Sequence, residues 1–442
     1  MSLFRFSSPL FTLGAFGAAI VVLTAVTPAL FGRLGDNFFI AQAISCGVLT
    51  ILATRVAEAC PERKGLILIF GVAILLRLIL LPTLPLTSSD VFRYVWDGRV
   101  QAAGINPYRY IPVAEELASL RDDEIFPHIN RKEYAVTIYP PAAQIFFFIV
   151  TRLHESVTMM KAALVACEAV TMLVVVGLLR RRGWPATRVV AYAWHPLAIW
   201  EIANNGHIDG VMVAMMMLAV WLFTSGRILS AGLAAAVGAL FKPFAVLVLP
   251  VFWRPWNWKL PLVVVGAVAL LYGPYLSVGT GVFGFLPTYV EEERLDSGSA
   301  FWALNVIQSV FGPFSWAQSI YGLAALALLS GLALRAGFRK ERTLTTTLND
   351  INALLLAFLF LLSPDYPWYF LMAVPLIALT GSQAGWALTI GGFALYEIQT
   401  WDPQIPLYVR DTAFNLLVLA MAVRAALKAR SASRTSFSGG SP

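Results

Sequence analysis

Charge is scarce in this sequence. Only 13% of its 442 residues are Asp, Glu, Lys or Arg, whereas 58% are hydrophobic. Soluble domains carry about 25% charged residues, so a water-soluble fold of this composition would expose large apolar patches. Cysteine is scarce as well. Cys46, Cys60 and Cys167 lie far apart, two of them in apolar runs, and no CxxC or Cys/His spacing accompanies them. That excludes a disulfide framework and a structural zinc site. No polar stretch is long enough to fold as a separate soluble domain, and no repeat of fixed period is present. The net charge of +7 comes from Lys and Arg at the ends of apolar runs. It reads as membrane topology, and no basic face for nucleic acid exists.

What is abundant is apolar sequence. Runs fall near 10–31, 38–54, 65–82, 138–152, 159–180, 188–203, 207–225, 228–253, 260–279, 315–337, 349–363, 366–380, 384–400 and 408–427. A crossing helix takes ~20 apolar residues. The pattern predicts an all-α polytopic membrane protein with roughly 11–14 transmembrane helices. The first run is too long for a signal-peptide core and is read as a retained helix. Residues 1–430 form a single transmembrane domain, and the Ser/Gly-rich stretch 431–442 is expected to be disordered. Four basic clusters, around Arg55, Arg181, Arg339 and Lys428, ask for the cytoplasmic side. All four are met if the 138–180 stretch makes one net crossing, with its Tyr139-Pro140-Pro141 opening partly re-entrant. The polar segments 83–137, 203–208, 280–312, 363–367 and 400–408 then share the outer face.

Segment 83–137 is the longest polar stretch, with eight acids and six bases. A loop of that length in a compact bundle is usually functional. It opens with Ser89-Asp90-Val91-Phe92-Arg93-Tyr94-Val95-Trp96-Asp97-Gly98-Arg99. As a helix this places Asp90, Arg93, Tyr94 and Asp97 on one face. A carboxylate there accepts a proton from a hydroxyl, and an arginine beside it binds phosphate bidentately. An interfacial helix with internal Arg–Asp pairs explains the same residues.

Further along, Glu201, His207 and Asp209 sit in the polar break Glu201-Ile202-Ala203-Asn204-Asn205-Gly206-His207-Ile208-Asp209. They are either sugar or phosphate ligands or parts of a capped hairpin. Lys242, before Pro243, is a cation inside an apolar stretch and needs an anionic partner or a snorkelling path. Asp365, in Ser363-Pro364-Asp365-Tyr366-Pro367-Trp368-Tyr369, shares the outer face with Asp90, among aromatics that suit either a membrane belt or sugar stacking. Glu291, Glu292 and Glu293 read as a solvated outer loop. The acids are able to bind a divalent cation, Mg or Mn, though no ligand set stands out, and no other cofactor is expected.

Taken in order, D-x-x-R-Y-x-x-D-G-x-x-x-x-G-x-N-P-Y, Y-P-P, H-P-L-x-I-x-E with G-H-I-D, K-P and S-P-D-Y-P-W-Y resemble the membrane glycosyltransferases of the C superfamily. They are closest to the bacterial polyprenol-phosphate-mannose-dependent mannosyltransferases, and the resemblance spans about residues 65–380. It implies a GT-C-like fold whose long first outer loop bears interfacial helices and serves catalysis. It also implies an inverting transfer of a sugar, mannose first, from a polyprenyl-phosphate donor to a lipid or glycan acceptor. The reaction would take place on the extracytoplasmic side of a bacterial inner membrane, with membrane lipids as partners and no nucleic acid. Asp90 matches the catalytic acid and Asp97 the second acid. Arg93, Tyr94, Tyr139, Glu201, His207, Asp209, Lys242 and Asp365 stand at substrate-binding positions. Ile208 departs from the family pattern, in which Asn is common. A transporter or flippase of a lipid-linked glycan, or a ligase joining whole glycans, is the competing expectation. A transporter would place its ionisable groups on broken helices near the midplane.

Overall fold

The computed structural model describes residues 8–396 and 407–438. Among these residues all regular structure is helical. Five stretches are long and apolar enough to cross a membrane: Pro9–Ala57, Val157–Arg181, Lys259–Glu292, Ala317–Gly337 and Leu344–Leu362. Six shorter apolar helices of 10–17 residues accompany them. The architecture is that of an all-α polytopic membrane protein, in which many of the expected spans are broken rather than continuous.

The breaks have local causes. Pro9–Ala57 turns at Gly35, where φ is +66°. Its two halves then meet again: the Cys46 side chain bonds to Thr24, and the Thr50 hydroxyl donates to the Trp194 carbonyl at 2.9 Å. The 188–203 run, expected as one span, is divided into Ala186–Val189, Val190–Ala193, Pro196–Ala198 and the π-helical Ile199–Asn204. Pro196 has no N–H to continue the preceding turn, and the His195 ring caps the restart by accepting from the Leu197 N–H. A π-turn inside a buried helix often marks a functional site, and this one carries Glu201. Likewise Ile228–Ala239 stops before Lys242, and Pro243 opens a 3₁₀ stretch, Pro243–Val248.

The helix Pro141–Leu153 has 13 residues, short of the ~20 that a crossing takes. The 83–137 segment holds one α-helix, Asp90–Ala102, and two 3₁₀ turns, Glu115–Leu120 and Phe126–His128. The last helix, Leu407–Ser438, runs into the stretch expected to be irregular. Residues 439–442, and most of the 400–408 segment, lie outside the described residues.

Buried charges tie the interior together. Arg77 pairs with Glu168 at 2.6 Å and donates to the Ala193 carbonyl. Lys161 donates to the carbonyls of Leu80 and Thr83, where the chain leaves its helix. Asn204 and Asn205 receive the backbone N–H groups of Leu86 and Thr87. The Asn204 and Asn205 bonds anchor the start of the 83–137 segment to the end of the broken 186–204 helix, and that anchoring positions the site.

Candidate active site

The helix Asp90–Ala102 has Ser89 at its N-cap without a side-chain capping bond, and the Asp90 N–H donates to the Ser88 hydroxyl at 3.3 Å. It packs closely on Pro141–Leu153 because Gly98 has no side chain. A Cβ there would lie 2.5 Å from the Thr151 hydroxyl and 2.6 Å from the Phe147 carbonyl. The close packing fixes the direction of both acids. Asp97 is buried, and its carboxylate accepts from Arg93 at 2.8 Å, Thr137 at 2.5 Å and Gln144 at 2.9 Å. Arg93 also donates to the Ala135 carbonyl. Asp90, about two turns earlier, is partly exposed.

Asp90 opens onto a cavity of about 810 Å³. Its polar lining comes from loops and helix ends: Asp90, Arg93, Asn130, Arg131, Tyr139, Lys242, Tyr289, Glu293 and Asp365. Its apolar lining comes from helices that face lipid-depth sequence, including Val246, Val268, Phe358 and Leu362. The Asn130 amide donates to Asp90 Oδ1 at 2.7 Å, and the Tyr139 hydroxyl also reaches Asp90. Lys242 Nζ lies 2.8 Å from Asp209 and 4.3 Å from the Tyr369 ring centroid. Tyr369 and Tyr289 share a 2.7 Å hydroxyl contact. Arg131 pairs with Glu292 at 2.9 Å and approaches Glu293 at 3.9 Å.

Asp209 thus answers the question raised by a cation in an apolar stretch: its partner is a carboxylate within the protein. Asp365 lies 3.5 Å from Arg294. Burial pushes the Asp365 carboxyl above its ordinary range, and the Arg294 guanidinium opposes that rise. Among the described residues no group of three or more His, Cys, Asp or Glu is placed to hold a metal ion.

Half of the residues singled out from sequence line the cavity and half do not. Asp90, Arg93, Tyr139, Lys242 and Asp365 line it. Asp97, Tyr94, Glu201, His207 and Asp209 stand behind it. Tyr94 stacks on Phe147, with ring centroids 4.5 Å apart, and its hydroxyl accepts the Ile208 N–H. His207 follows Gly206, whose φ of +74° suits glycine best. The turn directs the imidazole between two acids. Nε2 is 3.2 Å from Glu201 and Nδ1 is 3.7 Å from Asp90, yet neither contact has hydrogen-bond geometry. The imidazole stacks on Trp368 at 4.3 Å, and Trp368 stacks on Tyr366 at 4.5 Å.

Four polar lining residues were not foreseen as site residues. Asn130 and Arg131 carried no motif. Glu293 belongs to the loop read as solvated and Tyr289 lies just before it; Glu291, Glu292 and Arg294 are exposed as expected, whereas Tyr289 and Glu293 face the cavity and Arg131 pins the segment there. The surplus of aromatic residues beside the acids (Tyr289 within four positions of Glu293) was the available signal.

Residues 51–257 match the family model described as alpha-(1->6)-mannopyranosyltransferase, N-terminal domain, of the MptA_B family. Neither the curated proteins nor the solved structures gave a match.

Proposed function

From the mannosyltransferase family to which residues 51–257 belong, a family of GT-C type, we propose that the protein moves a mannosyl group from a polyprenyl-phosphate carrier to a hydroxyl of a lipid-linked or polymeric acceptor. The transfer inverts the anomeric carbon and takes place on the extracytoplasmic side of a bacterial plasma membrane. The observation that carries this reading is one cavity in which a partly exposed carboxylate, Asp90, meets apolar helix walls.

Each part of the reaction has a group suited to it. Asp90, oriented by Asn130 and Tyr139, takes the proton of the acceptor hydroxyl. The acceptor oxygen forms its bond to the anomeric carbon as the bond from that carbon to the phosphate oxygen breaks, and the phosphate leaves with the electron pair. Lys242 and Arg131 face the cavity and stabilise the departing anion. The prenyl chain follows the walls built by Val246, Val268, Phe358 and Leu362. Tyr366, stacked on Trp368, offers its outer ring face to the sugar. Asp97 acts at one remove, by holding Arg93 and the helix that carries Asp90.

Asp90→Asn in the purified enzyme, assayed with a polyprenyl-phosphate-mannose donor and an α-mannoside acceptor, should lower transfer by ~10²–10⁴-fold while the protein stays folded. Full activity in that variant would remove Asp90 as the base. The sidedness is tested by cysteines placed at Glu115 and Arg181, both exposed, in a background without the three native cysteines. A membrane-impermeant maleimide should label them from opposite sides, and labelling from one side would overturn the topology.

A further inference from the structure

His207 is the one ring in the site whose two nitrogens both approach acids. It is fully buried and does not line the cavity. Nδ1 faces Asp90 Oδ2 and Nε2 faces Glu201 Oε2, at 3.7 and 3.2 Å, and neither nitrogen has a hydrogen bond. Catalytic contacts are often loose without substrate and tighten when it binds. Glu201 is itself fully buried and fixed by donors on both oxygens. The Tyr396 hydroxyl donates to Oε1 and the Asn205 amide donates to Oε2 at 3.0 Å. A carboxyl group that receives donors on both oxygens is arranged as an acceptor, and it therefore favours the His207 tautomer with its proton on Nε2. Nδ1 is then left as a bare acceptor pointing at Asp90. The Trp368 face keeps water off the ring.

We infer that Glu201, His207 and Asp90 form a proton line, in which Asp90 strips the acceptor hydroxyl and His207 Nδ1 receives that proton from Asp90. This rests on the reading of Asp90 as the base. The balance is simple. The acceptor O–H bond breaks and Asp90 Oδ2 gains the proton. The proton then moves to His207 Nδ1, and Asp90 is again a carboxylate. Glu201, 3.2 Å from Nε2, stabilises the resulting imidazolium without taking a proton itself. Other groups near the line are Tyr94, Tyr139, Asp209 and Lys242, and the last two neutralise each other. The arrangement explains why a histidine and a glutamate are held behind the cavity rather than in it. His207 is a second proton acceptor, and Glu201 a positioning residue for its ring.

The test uses the full-length enzyme in detergent with the donor and acceptor named above, and reads kcat, KM and the dependence of kcat on the D₂O fraction. For the unaltered enzyme kcat is expected to fall linearly as the D₂O fraction rises, since one proton is in flight at a time; a kcat that does not depend on D₂O would overturn the proton line without recourse to any variant. His207→Asn and Glu201→Gln should each lower kcat by about tenfold or more and leave KM within about twofold. Folding is checked by melting, and Glu201→Gln, which keeps volume and removes charge, carries the test if His207→Asn does not fold. Unchanged kcat in these variants, with Asp90→Asn inactive, would refute the line and leave Asp90 as the base. Activity in Asp90→Asn would refute both.

Discussion

The stretch up to residue 257 and the helices that follow it are apolar to similar degrees but buried very differently. In Val157–Arg181 half of the apolar window, 50%, is buried, against 11% in Lys259–Glu292 and 6% in Ala317–Gly337. Hydrocarbon solvates leucine as well as a protein interior does, so apolar side chains gain little by turning inward. Polar and ionised groups gain a great deal. The early stretch holds Arg77 with Glu168, Lys161, Glu201, His207, and Asp209 with Lys242, and its helices turn inward to pair them. Lys259–Glu292 and Ala317–Gly337 pair few such groups and stay outside, whereas Leu344–Leu362 is 39% buried and Pro367–Thr380 packs inward without a charged side chain. In the early stretch burial follows polarity, and residues 51–257 of it match the mannosyltransferase family model. The late region contributes a cover, through Tyr289, Glu293 and Asp365.

The most severe test of that contrast is Asp97→Asn. It leaves Arg93 buried beside a group that no longer carries a charge. Breaking a buried ion pair from one side costs ~3–5 kcal/mol, and the effect should appear as a large fall in melting temperature in detergent. Asp90→Asn, seven residues earlier on the same helix, should melt like the unaltered protein and lose activity instead. Equal melting of both variants would mean that the buried network does not hold the early stretch together.

That pair of acids also shows how far the sequence could be read. Spacing placed Asp90, Arg93, Tyr94 and Asp97 on one face of a helix, and the helix is there. Four positions at i, i+3, i+4 and i+7 span a broad arc, however, and the cavity uses only the part with Asp90 and Arg93. Gly98, by drawing the helix onto Pro141–Leu153, decides which part, and its neighbour 50 residues away cannot be seen in a local pattern. The apolar runs located most helices but not their breaks. Pro196 and Gly206 were visible as residues, but not as the pivots that aim Glu201 and His207. The contacts of His207 with Asp90 and of Arg131 with Glu292 join segments more than 100 residues apart, and a single sequence carries no trace of such pairings. Glu293 was misjudged for a related reason: acidic loops are usually solvated, and only the fold shows that this one is pinned over a cavity.

A milder test concerns the cover. Tyr289→Phe removes the hydroxyl shared with Tyr369, a bond worth ~0.5–1.5 kcal/mol. If the late region only closes over bound donor, the donor KM should rise by about two- to tenfold with kcat nearly unchanged. A fall in kcat at constant KM would move Tyr289 from the cover into the chemistry and blur the division between the two regions.

The smallest expected effect lies at the rim of the early stretch, where its ion pairs meet water. Asp122 accepts from Arg99 at 2.5 Å and from the backbone N–H groups of Ile125 and Phe126. Burial raises its pKa, but these donors outweigh it and hold the carboxyl at about 2, below its usual 3.8. A lowered pKa means that the folded protein favours the charged form. The resulting stability is complete above pH 3.8 and fades as pH falls towards 2. The side chain is 35% exposed, so solvent screening limits the contribution to under ~1 kcal/mol. Asp122→Asn keeps an oxygen for Ile125 and Phe126 and loses the charge together with the acceptor for Arg99. Its melting temperature should lie ~1–3 °C below that of the unaltered protein at pH 6, and the gap should narrow at pH 3. A gap that stays constant over that interval would assign the loss to hydrogen-bond geometry instead of charge, and a gap as large as that of Asp97→Asn would mean that exposed pairs hold this stretch as firmly as buried ones.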